Sequence, residues 1–294
     1  MPPGYNVEVR NRFYKGHGLG NDYLVFEEGT DVCLDEDAIV RICDRWRGVG
    51  SDGVVLLVSR SGPPFQLRMF NPDGSEFERS GNGLRILASY LMKENLIGEG
   101  SFEVSVGGDL IRLEVINSDS RGHYDIRVDM GNAKVGAEWV GFDDSALDSE
   151  GRLELKNGGN YEINLVSMGN PHCVIFLDNW DTNLLEEIGP ILCGHKAFKK
   201  GTNVQLAKVL DDDLIEVLIW ERGVGVTSAS GTSACAVAVA AVHSGRVCSG
   251  TITVQMEGGS LEVSVDDENR VVLRGPVQEV FWGRLTDGFT GLVG

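Results

Sequence analysis

Short runs rich in β-branched and aromatic residues recur along the whole chain, each bounded by Gly, Asn or Asp, and this spacing predicts a succession of brief strands. In the first half they are Tyr23 to Phe26, Val54 to Val58, Gln66 to Phe70, Phe102 to Val106, Ile111 to Ile116 and Ile126 to Met130. The second half repeats the pattern with Glu162 to Val166, Cys173 to Leu177, Val204 to Leu206, Ile215 to Trp220, Ile252 to Met256, Leu261 to Val265 and Val271 to Leu273. Helical patterns are few. Leu84 to Glu94 puts Leu84, Leu87 and Leu91 on one stripe, widened by Ile86 and Tyr90, with Asn95 as its stop. Ala234 to Ser244 is apolar almost all round, which predicts a helix wrapped by sheet and ended by Gly245.

Both helices open on the same device. Ser80-Gly81-Asn82-Gly83 precedes the first, and Ser230-Gly231-Thr232-Ser233 precedes the second, 150 positions further on. A hydroxyl and a Gly-rich turn at a helix start direct free N–H groups and the positive end of the helix dipole at one spot, which suits an anion. The duplication predicts an α+β protein of two pseudo-symmetric domains, each a curved, mostly antiparallel sheet or barrel around a central helix. The chemistry is then expected in the interdomain cleft. The first domain is expected over residues 1–130 and the second over 131–275, with the boundary near Gly131. The acidic stretch Trp139 to Gly159 lacks periodicity and reads as an exposed excursion.

Composition narrows the function class. With 39 glycines in 294 residues and no low-complexity tract, the chain needs many tight turns between short strands. A net charge of −18 argues against a nucleic-acid or anionic-membrane surface, because phosphate binding requires clustered Lys and Arg. A small-molecule partner is expected instead. Met1-Pro2-Pro3-Gly4-Tyr5-Asn6 has no basic and apolar signal regions, and the longest apolar stretch is too short to span a bilayer, so a cytoplasmic protein is expected. Six cysteines, Cys33, Cys43, Cys173, Cys193, Cys235 and Cys248, form no C-x-x-C pair and read as reduced thiols.

Two tempting motifs fail on context. Gly48-Val49-Gly50-Ser51-Asp52-Gly53 satisfies G-x-G-x-x-G, but a dinucleotide site needs a strand before it and a helix after it, whereas a strand-like run follows here. The histidines His17, His123, His172, His195 and His243 show no metal-ligand spacing, so no metal is expected.

Further motifs flank the two serine loops. Asn71-Pro72-Asp73-Gly74-Ser75-Glu76 precedes the first and Glu221-Arg222-Gly223-Val224-Gly225 the second. Lys15-Gly16-His17-Gly18-Leu19-Gly20-Asn21-Asp22, Met168-Gly169-Asn170-Pro171-His172-Cys173 and Gly201-Thr202-Asn203-Val204 complete the set. In this order they resemble the diaminopimelate epimerase family from about residue 13 onward. The resemblance implies interconversion of LL- and meso-diaminopimelate by two-base α-proton transfer, with no cofactor and in a homodimer. It also implies that 276–294, with the strand-like Val277 to Trp282, return to the first domain. Ser80 and Ser230 then occupy the acid and base positions. Asn21, Asn71, Gly81, Asn82, Asn170, Asn203, Glu221, Arg222, Gly231 and Thr232 fall on substrate-binding positions.

Taken without the resemblance, each asparagine reads first as stabilising its own turn, each serine as a plain helix cap, and Glu221-Arg222 as a surface ion pair. Glu221 and Arg222 offer a carboxylate for a substrate ammonium and a guanidinium for a substrate carboxylate. The family has cysteine where Ser80 and Ser230 stand, and usually Glu at Val226. A thiol, with pKa near 8.5 and lower at a helix start, can serve as acid and as base. A serine hydroxyl has no comparable anion near neutral pH and needs an adjacent base. Three readings stay open: the epimerase, a related isomerase or dehydratase of another amino or hydroxy acid, and a non-catalytic amino-acid-binding homologue.

Overall fold

The computed structural model describes residues 11–29, 34–77, 79–179 and 183–291. Cys33 and the segment Met1 to Asn6 lie outside them. Two compact units are present, Met1–Ile126 with Val277–Gly294, and Arg127–Pro276.

The chain begins with β1 (Arg12–Gly18), β2 (Asn21–Glu27), α1 (Glu36–Cys43), β3 (Val54–Leu57), β4 (Phe65–Phe70), β5 (Glu76–Phe77) and α2 (Gly81–Lys93). It continues through β6 (Gly100–Val106), β7 (Asp109–Ser118), β8 (His123–Asn132), β9 (Lys134–Val135), α3 (Ala137–Val140), β10 (Arg152–Glu154) and β11 (Asn160–Glu162). The second series is β12 (Asn164–Ser167), β13 (Pro171–Phe176), α4 (Asn183–Cys193), β14 (Asn203–Asp211), β15 (Leu214–Glu221), β16 (Gly225–Thr227) and α5 (Gly231–His243). β17 (Gly250–Met256), β18 (Gly259–Val265), β19 (Arg270–Arg284) and α6 (Asp287–Thr290) follow. The class is α+β.

The two units repeat one wiring scheme. In the first, β1–β2, β3–β4, β4–β5 and β6–β7 are antiparallel while β2–β3 and β4–β6 are parallel. In the second, β12–β13, β14–β15, β15–β16 and β17–β18 are antiparallel while β13–β14 and β15–β17 are parallel. A parallel pair cannot be joined by a hairpin and requires a crossover. Each of the four parallel pairs has one long helix between its strands: α1, α2, α4 and α5 in turn.

α2 packs against β1, β2, β3 and β7, and α5 against β12, β13, β14, β15, β17 and β18, so each unit is a curved sheet wrapped around one helix. Every residue from Gly81 to Leu91 is buried, as are Gly231 and Ser233 to Ala241. Enclosing a Leu or Ile this fully contributes about 1.5–3 kcal/mol each. In α5 alanine and valine replace the larger side chains of α2. The buried Ser89 hydroxyl of α2 is satisfied locally: its Oγ donates to the Ile86 carbonyl at 2.7 Å and meets the Tyr14 hydroxyl at 2.8 Å.

Several expectations need correction. Both central helices begin three residues earlier than the apolar pattern suggests, immediately after Ser80 and Ser230, because the serine caps offset the weak helix propensity of the Gly-rich turn. Glu162 to Val166 is divided between β11 and β12, whereas Val271 to Leu273 and Val277 to Trp282 are one strand, β19. The acidic stretch is no exposed excursion throughout. Val140, Phe142, Leu153 and Leu155 are buried against Ile175, Leu185, Ile188 and neighbours, anchored by strands too short to show a period. The glycine motif follows α1 and leads into β3. An added Cβ at Gly48 would lie 2.0 Å from the Arg41 carbonyl oxygen, and at Gly53 2.4 Å from the Tyr23 ring, so these glycines serve close packing.

Asn95 and Gly245 stop α2 and α5 in the left-handed region, at φ 56° and 68°. A Cβ at Gly245 would meet nothing within 4 Å, so its substitution isolates backbone strain from packing. Gly245→Ala is expected to lower stability by about 1 kcal/mol, read as a lower urea midpoint with unchanged m-value.

Candidate active site

In the first unit the start of α2 is joined to two loops by side-chain amides. Ser80 has extended backbone, and its Oγ accepts the Gly83 N–H at 3.0 Å. Two residues on, Asn82 Nδ2 donates to Asn21 Oδ1 at 2.7 Å, and Asn21 Nδ2 donates to Asp52 Oδ2 at 3.0 Å. The β1–β2 turn, the loop before β3 and the first turn of α2 therefore share one hydrogen-bonded line. Asn71 stands in a separate turn, where its Nδ2 donates to Ser75 Oγ at 3.0 Å, the local role that turn asparagines ordinarily fill.

Behind Asn21 lies a compact set of charges. Lys15 Nζ sits 2.7 Å from Asp22 Oδ2, and Arg45 reaches Asp22 Oδ1 at 2.7 Å and Asp52 Oδ1 at 2.6 Å. Two carboxylates thus face two cations, which limits the cost of removing them from water. Burial opposes the charge on Asp22, yet Arg45 and Lys15 outweigh it and hold the carboxyl below its ordinary range. Asp52 moves the other way, pushed up by burial and then by the charge of Asp22.

The second unit solves the same problem with neutral groups. Ser230 caps α5 through the Ser233 N–H at 3.5 Å, a weaker contact than that of Ser80. Asn203, at the start of β14, donates from Nδ2 to the Pro171 carbonyl at 3.0 Å and accepts the Arg222 N–H on Oδ1 at 2.9 Å. Its amide ties the β12–β13 turn to the β15–β16 turn. The Arg222 guanidinium donates to the Lys200 carbonyl at 2.7 Å, and Glu221, half-buried, closes β15 opposite Gly225. Gly231 is buried and Thr232 half-buried in the first turn of α5; Val226 lies on β16 opposite Trp220, 49% exposed.

A buried polar line also reaches α5. Asn170 Oδ1 lies 2.9 Å from His172 Nε2, His172 Nδ1 lies 3.1 Å from Gln205 Nε2, and Gln205 Nε2 lies 3.0 Å from Ser233 Oγ. A Gln205 donor at Nδ1 leaves the His172 proton on Nε2, directed at Asn170. His172 is fully buried and burial lowers its pKa to about 3, so it is a neutral imidazole. Burial likewise keeps Cys173 protonated, pushing it up to about 12.

The nominated residues occupy the same topological places in both units: the first hairpin turn (Asn21, Asn170), the start of the third sheet strand (Asn203), the second hairpin turn (Asn71, Glu221, Arg222) and the helix start (Ser80, Ser230). In the first unit Asp52 stands in the loop just before β3, beside that place, and the sequence reading passed over it, as it did Arg45, Arg85, Gln205 and Ser233. For Arg85 and Gln205 the signal was a polar residue inside an apolar element, as in Val204-Gln205-Leu206, and for Asp52 a place inside a motif rejected for another function. Among the described residues no cluster of His, Cys, Asp or Glu could hold a metal ion, and no helix is long and apolar enough to cross a membrane.

Residues 13–136 and 164–280 match the diaminopimelate epimerase family. A diaminopimelate epimerase of Desulforudis audaxviator is 39% identical over 275 residues, covering 92% of this chain and 98% of its own. That of Synechocystis sp. is 38% identical over 281 residues, covering 92% and 98%. Among solved structures, a probable proline racemase from Agrobacterium radiobacter K84 superposes with TM-score 0.66 at 16% identity, covering 94% of this chain and 93% of its own, a likeness of fold.

The buried imidazole carries a pH signature. Its folded pKa of about 3 lies below the ordinary 6.5, so as pH falls through 6.5 the unfolded chain takes up a proton that the native site refuses. Stability present above pH 6.5 is lost on acidification, by about 2 kcal/mol between pH 6.5 and 5. His172→Gln is expected to remove that part of the slope, measured by urea unfolding at both pH values.

Proposed function

The chain belongs to the diaminopimelate epimerase family, and from that membership we propose that it binds a diaminopimelate-like amino acid and addresses the α-carbon with one proton carrier from each unit, Ser80 and Ser230. The observation that carries this reading is the repeated serine-capped helix, buried over most of its length, with asparagines on the neighbouring turns of both units and Glu221 and Arg222 on a turn of the second. No cofactor is needed in this mechanism. Helix-start N–H groups stabilise the substrate carboxylate and the negative charge that develops as the α-proton leaves. Arg222 takes a carboxylate, Glu221 an ammonium, and the amides of Asn21, Asn82, Asn170 and Asn203 complete the polar lining together with Asn71, Gly81, Gly231 and Thr232. The protein works as a soluble cytoplasmic homodimer.

The two hydroxyls limit the chemistry. Each cap oxygen accepts an N–H, an arrangement that would lower the pKa of a thiol but leaves an alcohol far from ionisation at neutral pH. Binding therefore exceeds turnover. In D₂O, proton NMR of diaminopimelate is expected to show little α-hydrogen exchange with the unmodified protein. Ser80→Cys combined with Ser230→Cys should raise exchange by about a hundredfold or more, and either change alone by much less, because the two positions act as a unit. A folded double variant that exchanges no faster than the parent would refute the assignment.

Binding is separable from turnover. Diaminopimelate should raise the melting temperature of the unmodified protein, and Arg222→Ala should weaken its affinity about 10- to 100-fold by removing a charge-assisted contact, read by calorimetry.

A further inference from the structure

A directed line of hydrogen bonds runs through the first unit to the start of α2. Arg85 donates to Asn82 Oδ1, Asn82 Nδ2 donates to Asn21 Oδ1, Asn21 Nδ2 donates to Asp52 Oδ2, and Arg45 donates to Asp52 Oδ1. A guanidinium can only donate and a carboxylate only accept, so the two amides between them have one orientation available. Asp52 Oδ2 also takes the Asp22 N–H at 3.0 Å, and the Asp52 N–H returns to the Asp22 carbonyl at 2.9 Å. One carboxylate thereby fixes both the backbone and the side chain of the β1–β2 turn. Asn82 and Arg85 are fully enclosed, at 4% and 0% exposure, so water cannot replace a lost link cheaply.

We infer that Asp52 is a positioning residue for position 80: acting through Asn21 and Asn82, it holds the first turn of α2 so that the Gly83 N–H stays aimed at the side chain of residue 80. The inference rests on the reading of position 80 as a proton carrier, which supplies the reason for the brace. Asp52 itself need not touch substrate. Removing its carboxylate leaves three donors, Asn21 Nδ2, the Asp22 N–H and Arg45, competing for what remains. The Asn21 amide then loses its fixed orientation, and the Asn82 contact goes with it.

A thiol at position 80 reports on this arrangement, because a helix-start N–H stabilises the thiolate. The charged groups joined to the brace are Lys15 of β1, Asp22 of β2, Arg45 and Asp52 of the α1–β3 loop and Arg85 of α2; His17 contacts the β1–β2 turn at the Gly20 N–H, and Arg79 precedes Ser80. The sign of the response separates two causes. Loss of the Asp52 charge alone would make a nearby thiol more acidic, whereas loss of the brace makes it less acidic.

The test uses full-length Ser80→Cys protein, following iodoacetamide modification of the introduced thiol by peptide mass spectrometry across about pH 5 to 10. The same profile is measured after adding Asp52→Asn, and separately Asn21→Ala, which removes the middle link without altering any charge. Both additions are expected to raise the midpoint by about one pH unit and to slow modification near neutral pH close to tenfold. A midpoint that falls with Asp52→Asn and stays with Asn21→Ala would mean that Asp52 acts by charge alone, and the inference would be wrong. Unchanged midpoints in both would overturn it as well. Alkylation involves no amino-acid substrate, so this result stands or falls apart from the exchange experiment that tests the epimerase reading.

Discussion

A helix surrounded by sheet has only its ends to offer to anything polar. α2 and α5 bury nearly their whole length, so the N–H groups of their first turns, which no helical carbonyl can take, must be answered by side chains or by a ligand. Everything else at the candidate site follows from that requirement. Ser80 and Ser230 answer one N–H each, and the turns joining neighbouring strands bring amides to the same end of each sheet. The candidate site lies where the fold has an electrostatic deficit, which is a general reason for anion sites to sit at helix starts.

The two units meet this requirement by different means. The first uses ions: Lys15, Asp22, Arg45 and Asp52 lock the loops that hold Asn21. The second uses neutral groups: Asn203 spans two turns with one amide, and His172 is held uncharged between Asn170 and Gln205. Identical strand wiring thus leaves the chemistry of the bracing free to differ. Screening by salt weakens partly exposed charge pairs more than buried amide contacts, so ionic strength acts on this bracing in the first unit more than on its counterpart in the second.

The strand pattern, the two central helices and the paired serine caps were legible in the sequence because each has a local cause: β-branched alternation, an apolar run, a capping hydroxyl. β1 was missed because Lys15-Gly16-His17-Gly18 has no apolar alternation, although the strand is held by β2 on one side and β19 on the other. α1 and α4 escaped for another reason. They are required by parallel pairing of the strands on either side, a relation between distant segments, and their local signals are short: an Asp35 cap with Ala38, Ile39 and Ile42 buried in α1, and Leu185, Ile188 and Leu192 buried in α4. The same limit hid Asp52, whose importance lies in contacts made 30 and 31 positions back along the chain.

β19 has a consequence for the order of assembly. Its first part pairs with β18 in the second unit, and its last part, Gln278 to Arg284, pairs with β1. During synthesis β1 emerges early, yet the strand that covers its open edge leaves the ribosome only after the entire second unit. The unit begun first is therefore completed last, and until then β1 presents unpaired backbone groups of the kind that recruit foreign strands. The nascent chain must keep that edge guarded for the time needed to make the other half of the molecule.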